Sequence, residues 1–438
     1  MNSISTKTFC VVDHGAFLPV AQRLADSGAK VYYHNPSWMK AYPIMDEAII
    51  GDGYPDFECA PDLWNIKDKV DCFVFPDIYH MGLQKELRKQ GFFVWGSGAG
   101  MALETDRVFF LGKLEELGLD VPPHEIIVGI TNLRAFLKDK KDIWIKMSKF
   151  RGSFETKHFR SYDLDEKLLD VWAFRFGGLK EHIKFICFPK IETELEIGAD
   201  TYCIDGQWPS LMLHGIEAKD AAYLSSVTRQ KDMPEQLLPI MQKLSPYMKE
   251  SQYRCQWSME VRVTDDADFF IDATCRGGLP STNSQLMLWK NFPEIVYHGA
   301  QGELVEPIPA GKFSAECLIS LSGERGAWES LVIPDSLSQN FRPSKCCNVG
   351  NKKWFMPDQM FESEQFNSYR DVGWLVAIGN TPTEVAENMN KLADELPDNC
   401  DADVESLAAI IREINTETEE GIHFSDMELP EPEIVLAE

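Results

Sequence analysis

The sequence predicts a multidomain protein of mixed α/β and α+β type. Three observations lead there. Roughly the first hundred residues hold two strand–turn–helix–strand units, the pattern of parallel strands joined by a crossover helix. The middle of the chain alternates long strand-like runs with hairpin turns. The last third returns to strands and then opens a well-capped helix. At 438 residues, about two to four domains are expected.

The first unit starts with a short buried strand over residues 7–13, containing FCVVD. A turn follows at Asp13-His14-Gly15, then helical spacing over 20–27 and a strand over 29–33. The second unit has a strand over 71–75, an amphipathic helix over 81–90, and a strand over 92–95 that ends at Gly96-Ser97-Gly98. Together they make a small open sheet of Rossmann type. It carries no GxGxxG fingerprint, so no dinucleotide is assigned to it. Asp13 and His14 lie where such sheets place ligands, at the carboxyl end of the first strand, and are candidate substrate contacts; a plain turn is the alternative.

Residues 102–118 read as one helix closed by Gly118, and Val121-Pro122-Pro123 then forces an extended chain. Strands follow at 142–147, 184–189 and 196–205, the last turning at Asp205-Gly206. Residues 259–263 and 269–273 form a hairpin through Asp265-Asp266, and 284–290 and 293–299 look helical. Further strands lie in SAECLISL, ESLVI and GWLVAIG. Thr381 is a natural N-cap with Pro382 in the first turn of a helix reaching about Leu396. A short helix over 404–414 is expected inside a tail, 399–438, that holds twelve acids against Arg412 alone.

Composition removes several classes of function. Apolar residues are 44% and charged residues 26%, enough for a large core. Acids outnumber bases 69 to 43, a net charge of −26 that repels nucleic acid and anionic membranes. The eleven cysteines lack metal or disulfide-framework spacing and read as buried thiols in a reducing compartment. No run approaches the ~20 apolar residues of a membrane span, and no signal-peptide core is visible. A cytoplasmic protein, monomer or homodimer, is expected.

The chemistry gathers on the acidic hairpin. Asp272, Thr274 and Arg276 alternate along one strand and so share a face, which Glu260 on the paired strand can join. Two carboxylates, a hydroxyl and a guanidinium suit Mg²⁺ and the phosphates it bridges; a solvated polar face with a salt bridge is the alternative. Arg107 and Lys146 suggest a phosphate clamp, and Glu196 is a strand carboxylate able to accept hydrogen bonds from ribose hydroxyls.

These parts stand in a recognisable order: LETDRVFFLGKLEELGLDVP, IWIKMSKFRGSFETKHF, KIETELEIGADTYCIDG and SMEVRVTDDADFFIDATCRGGLP, with GNTPTEVAENMNKLADEL late in the chain. In that order they resemble the ATP-grasp ligases, and most of all the glycinamide ribonucleotide synthetase branch (phosphoribosylamine–glycine ligases). The resemblance runs to about residue 398. It implies a Rossmann-like pre-ATP-grasp domain (1–101) and an ATP-grasp domain (102–300) with a mobile lobe at about 123–190. A small C-terminal mixed α/β domain (301–398) and the acidic tail (399–438) follow.

The resemblance also implies roles. Arg107 and Lys146 would contact ATP phosphates, Lys190 and Ile191 would read the adenine edge, and Glu196 would bind ribose. Glu260 and Asp272 would hold Mg²⁺ (or Mn²⁺), and Arg276 would stabilise the phosphorylated intermediate. The chain departs from the family in three ways. Thr274 replaces an asparagine, Asp272 replaces a glutamate, and the loop after Lys146 has only Gly152, so Lys149, Arg151 and Ser153 would supply side-chain contacts. The segment 215–234 lacks the family's glycine-rich stretch and offers Lys219, Tyr223 and Arg229 as substrate contacts, or as surface polarity.

The implied activity is ATP- and Mg²⁺-dependent joining of a carboxylate to an amine through an acyl phosphate, with small-molecule substrates. The alternatives are activation of another acceptor, such as bicarbonate or a thiol, or nucleotide binding without turnover.

Overall fold

The computed structural model describes residues 3–36, 49–148, 156–191, 195–323, 327–356 and 369–419. The N-terminal part contains β1 (Thr8–Val12), α1 (Leu18–Ala25), β2 (Lys30–His34), β3 (Glu58–Cys59), β4 (Cys72–Val74), α2 (Met81–Lys89) and β5 (Phe93–Trp95). Their sheet is parallel throughout, in the order β3-β2-β1-β4-β5. Both faces are covered, which is why the strands are apolar at nearly every position. Phe9, Val11 and Val74 face the main core, while Cys10, Val12 and Phe73 face a smaller one. The strand order reverses between β1 and β4, so their carboxyl ends flank the crevice where such sheets take ligands.

The single helix expected over 102–118 is two: α3 (Ala102–Thr105) and α4 (Arg107–Glu116). Asp106 separates them. Its backbone is extended and its carboxylate accepts a hydrogen bond from the Phe109 N–H, an N-cap that outweighs helix continuity. The break makes Arg107 the first residue of α4.

The small lobe consists of β6 (Glu125–Val128), α5 (Ile130–Leu137), β7 (Lys141–Met147), β8 (Thr156–Ser161), α6 (Tyr162–Phe176) and β9 (Lys184–Pro189). Its antiparallel sheet, in the order β6-β9-β7-β8, packs on its own core of Leu133, Ile145, Phe159, Trp172 and Phe185. Residues 125–189 thus carry a sheet of their own with a core on one face, while Ile186 of β9 faces the main core.

The remaining strands are β10 (Leu195–Ile204), β11 (Leu211–Ala218), β12 (Ala222–Arg229), β13 (Arg254–Val263), β14 (Asp268–Thr274), β15 (Phe313–Ser322), β16 (Glu329–Leu331), β17 (Phe341–Pro343), β18 (Cys346–Val349), β19 (Lys352–Phe355), β20 (Tyr369–Gly379) and β21 (Cys400–Ala402). The helices among them are α7 (Leu237–Glu250), α8 (Thr282–Leu288), α9 (Phe292–Gly299), α10 (Pro382–Ala393) and α11 (Val404–Glu419). The large sheet runs β14-β13-β10-β11-β12-β15-β20-β17, with β21 also on β15, and β16-β19-β18 form a small sheet apart.

Two expected boundaries shift. Residue 300 is not a break in the sheet, because β15 hydrogen-bonds to β12 along Ala222–Ser226. The chain also stays folded past 399. β21 pairs with Ile319–Leu321, and Leu407 and Ile410 of α11 are buried in the main core. The helix expected over 404–414 is present as α11, but its docking on the main core was not foreseen. The N-cap at Thr381 is as expected, with its hydroxyl accepting from the Glu384 N–H. All eleven cysteines are free thiols, nine of them buried. Among the described residues, no helix is long and apolar enough to cross a membrane.

Candidate active site

The hairpin β13–β14 places Glu260 directly opposite Asp272, and Ser258 opposite Thr274. Directly opposed residues project to the same side of a sheet, so Glu260, Asp272 and Thr274 share a face, whereas Arg276, expected on it too, lies past the end of β14. A register shift follows at Glu260/Val261.

Two cations converge on Asp272 from different elements. The Arg107 guanidinium, at the start of α4, donates to Oδ1 at 2.5 Å, and Lys146 Nζ, from β7 of the small lobe, reaches Oδ2 at 3.4 Å. Arg107 is nearly fully enclosed, with a side chain only 5% exposed. Burial disfavours the Asp272 carboxylate, but the adjacent Arg107 and Lys146 charges outweigh it and hold the group well below the usual carboxylate range. Ser148, just past β7, donates to Asp106 Oδ1 at 3.0 Å and is a second link between the lobe and the body.

Glu260 is pushed the other way. Surrounding protein limits its hydration, and the charges of Asp272 and Glu196 raise its pKa further, against the pull of Lys146. Its side chain nevertheless remains open to the cleft. Among the described residues no three His, Cys, Asp or Glu side chains could hold a metal by themselves. Two opposed carboxylates with a nearby threonine hydroxyl suit magnesium instead, which takes one or two carboxylates and completes its shell with phosphate oxygens and water.

Arg276 lies just beyond β14. Its Nε donates to Glu104 Oε1 at 3.0 Å and stands 3.7 Å from Asp77 Oδ1. Glu104 also accepts from the Cys275 N–H at 2.7 Å, which fixes the chain at this point. Glu196 projects beside Arg262, 2.9 Å away on β13, and is partly exposed. Lys190 is exposed at the end of β9, its N–H donating to the Asp142 carbonyl, and Ile191 is half-buried beside it. Ser153, with Lys149 and Arg151, lies outside the described residues.

The three residues chosen from 215–234 do not come together. Lys219 is in the exposed turn between β11 and β12, near Glu217, whose charge is felt at Glu260. Tyr223 is buried instead of open to substrate, with its hydroxyl donating to Asp200 Oδ2 at 2.5 Å. Arg229 is at the opposite end of β12, paired with Asp232.

Asp13 is buried. Its Oδ2 accepts from the Gly15 and Phe17 N–H groups and from the Tyr33 hydroxyl, so it builds the turn after β1, while Oδ1 has no partner among the described residues. His14 is half-buried at the carboxyl end of the sheet, against His80. Sequence reasoning did not single out Glu104, Asp77, Ser148 or His80. Glu104 stands in the quoted ETDR run, which was the available signal. The others depend on contacts between elements distant in sequence.

A Rossmann-type sheet, a four-stranded lobe and a large antiparallel sheet bearing paired carboxylates constitute the ATP-grasp fold. No family model matches the chain, and no curated protein does. Solved structures do. The chain is similar to the phosphoribosylamine–glycine ligase of Thermotoga maritima, with 14% identity, 90% of this chain and 98% of that one covered, and a TM-score of 0.65. It is similar to the biotin carboxylase of Campylobacter jejuni in its β-γ-ATP complex, at 12% identity, 96% and 98% coverage and a TM-score of 0.62. It is also similar to the L-amino acid ligase of Bacillus licheniformis, at 14% identity, 89% and 98% coverage and a TM-score of 0.57.

Proposed function

We propose that this protein is an ATP- and magnesium-dependent ligase that joins a carboxylate to an amine. The observation that carries the reading is the convergence of Arg107 and Lys146, from α4 and the lobe, on a carboxylate pair displayed by the large sheet. Arg107 and Lys146 bind triphosphate oxygens, Lys190 and Ile191 border the adenine, and Glu196 accepts from the ribose. Glu260 and Asp272, with Thr274, hold Mg²⁺ or Mn²⁺, which when bound supplies neutralising charge to the phosphates.

The substrate carboxylate attacks the γ-phosphorus in line, ADP leaves, and an acyl phosphate forms. The amine then displaces phosphate to give an amide. The protein contributes position and charge, with Arg276 countering the charge of the transferring phosphoryl group. Lys146 sits on the lobe, so closing the lobe over the sheet brings its charge to the phosphates and excludes water from the acyl phosphate.

The likeness to a phosphoribosylamine–glycine ligase makes glycine and phosphoribosylamine the first pair to test, and the L-amino acid ligase extends the panel to amino acids. A second reading, with bicarbonate as the acceptor, draws on the likeness to biotin carboxylase across 96% of the chain. The test is magnesium-dependent ADP release with defined pools of acids, amines and bicarbonate. ATP binding without ADP from any pool, together with an Asp272→Asn variant that behaves as wild type, would sink the ligase reading.

A further inference from the structure

The two strands that flank the switch point of the N-terminal sheet are each followed by a histidine. His14 comes after β1, and His80 ends the loop after β4. Their rings stack with centroids 5.2 Å apart and planes 15° apart, and the two Nε2 atoms are 2.9 Å from each other. At that separation one Nε2 must donate its proton and the other accept it. The pair then presents one Nδ1 lone pair and one Nδ1–H, and neither Nδ1 has a partner among the described residues.

The position of His80 is costly. Its backbone lies in the left-handed region, at φ 67°, and it begins α2 without using its side chain as a cap. A β-carbon makes such a conformation less favourable than it is for glycine. Both imidazoles remain partly accessible to solvent.

The loop is tied to the phosphate-handling machinery. The Gly277 N–H donates to the Pro76 carbonyl at 2.9 Å, and Asp77 stands 3.7 Å from Arg276. The pair is therefore one carboxylate away from Arg276. Asp77, His34 and Tyr79 are the titratable groups around it. Burial lowers both imidazoles, His80 to about 4 with help from His14 and His34, against the opposing charge of Asp77. Both rings are thus neutral near pH 7. The Asp77 charge, felt at both imidazoles, favours an ammonium group over an anion beside them.

We propose that the His14–His80 pair is the acceptor end of this site: it hydrogen-bonds the incoming primary amine and takes the proton that the amine loses as the amide forms. This rests on the ligase reading. A bound ammonium first gives one proton to water; the free amine nitrogen then attacks the acyl carbon, and the carbon–oxygen bond to phosphate breaks with its electron pair leaving on phosphate. One N–H proton passes to the imidazole lone pair and from there to solvent.

The test uses the full chain with ATP, Mg²⁺ and an equimolar pool of the twenty amino acids. His80→Gly keeps the left-handed backbone without strain, and His14→Gln is the second variant. Amide formation falls by about 10²-fold or more in each, ADP released per amide formed rises, and added imidazole restores amide formation in His80→Gly. Equal loss of ADP and amide without imidazole rescue, or no loss at all, overturns the proposal.

Nitrogen spectra of ¹⁵N-histidine-labelled wild type give a readout independent of turnover. Ammonium or an amino acid from the pool shifts the His14 and His80 ring signals. No shift with any of them overturns the proposal, whatever the turnover. A wild-type protein that releases no ADP would count against the ligase reading alone, and the spectra would still decide whether the pair binds amines.

Discussion

Glu260 and Asp272 face each other across adjacent antiparallel strands, yet their surroundings drive their protonation in opposite directions. Asp272 has a cation on each oxygen, whereas Glu260 has acidic neighbours and one weakly opposing lysine. One carboxylate is locked in its charged form and positions Arg107 and Lys146. The other gains most from an added cation. Lys146→Ala and Glu260→Gln should each reduce ADP formation by about 10²-fold or more, while melting temperatures stay within a few degrees of wild type. Steady-state ADP assays beside thermal melts check this, and unchanged turnover in either variant contradicts the site.

Tyr223 separates a structural role from a substrate role. Its ring lies across Gly215, where an added Cβ would come within 2.4 Å of the ring atoms, and its hydroxyl supplies a proton to buried Asp200. Ser258 donates to the other oxygen of the same carboxylate. Tyr223→Phe should therefore destabilise the fold by about 1–3 kcal/mol through a weakened buried acceptor, with KM for every substrate unchanged. Urea unfolding and substrate titration give the two numbers. A raised KM at constant stability would return Tyr223 to the substrate site.

The contrast with Asp272 shows what the sequence made legible. Alternation along a strand is local, so the shared face of Glu260, Asp272 and Thr274 could be read from spacing. The parallel crossover units were legible for the same reason, because apolar periodicity and turn residues act over a few positions. Tyr223 looked like a substrate contact because nothing local shows that β12 is interior, covered on one side by β11 and on the other by β15. The Arg276–Asp77 and Ser148–Asp106 contacts join residues far apart in sequence, and no pattern within one element encodes them. Near the C-terminus, the helix over 404–414 was legible from its apolar spacing, whereas its docking on the main core depends on distant elements.

Asp13 should leave a signature in the pH dependence of stability. Burial raises its carboxyl to about 6, against the hydrogen bonds from Phe17, Tyr33 and Gly15. The unfolded chain has the ordinary lower value, so between about pH 4 and 6 the folded state binds the extra proton. The stabilisation is present below the unfolded pKa and is lost as pH rises through the folded one, by about 2–3 kcal/mol. All three donors meet Oδ2, so Asp13→Asn can keep them with its amide oxygen. Denaturant unfolding from pH 4 to 8 should show this decline in wild type and a flatter profile in Asp13→Asn. Parallel profiles would exclude the effect.

Truncation after Asn399 tests whether the acidic C-terminal stretch belongs to the fold. Removing it strips β21 from Ile319–Leu321 and uncovers the core at Leu407 and Ile410. Each of those side chains contributes about 1.5–3 kcal/mol on burial, and the exposed edge of β15 loses its hydrogen-bond partners. The truncated chain should therefore melt at a clearly lower temperature and expose apolar surface to a hydrophobic dye. Replacing only Leu407 and Ile410 with alanine in the full-length chain should reproduce most of the loss, because the acidic residues remain in place. If the truncation melts like the full chain, α11 contributes nothing to the core. If it melts lower while the double alanine variant does not, the strand pairing of β21 carries the stability instead.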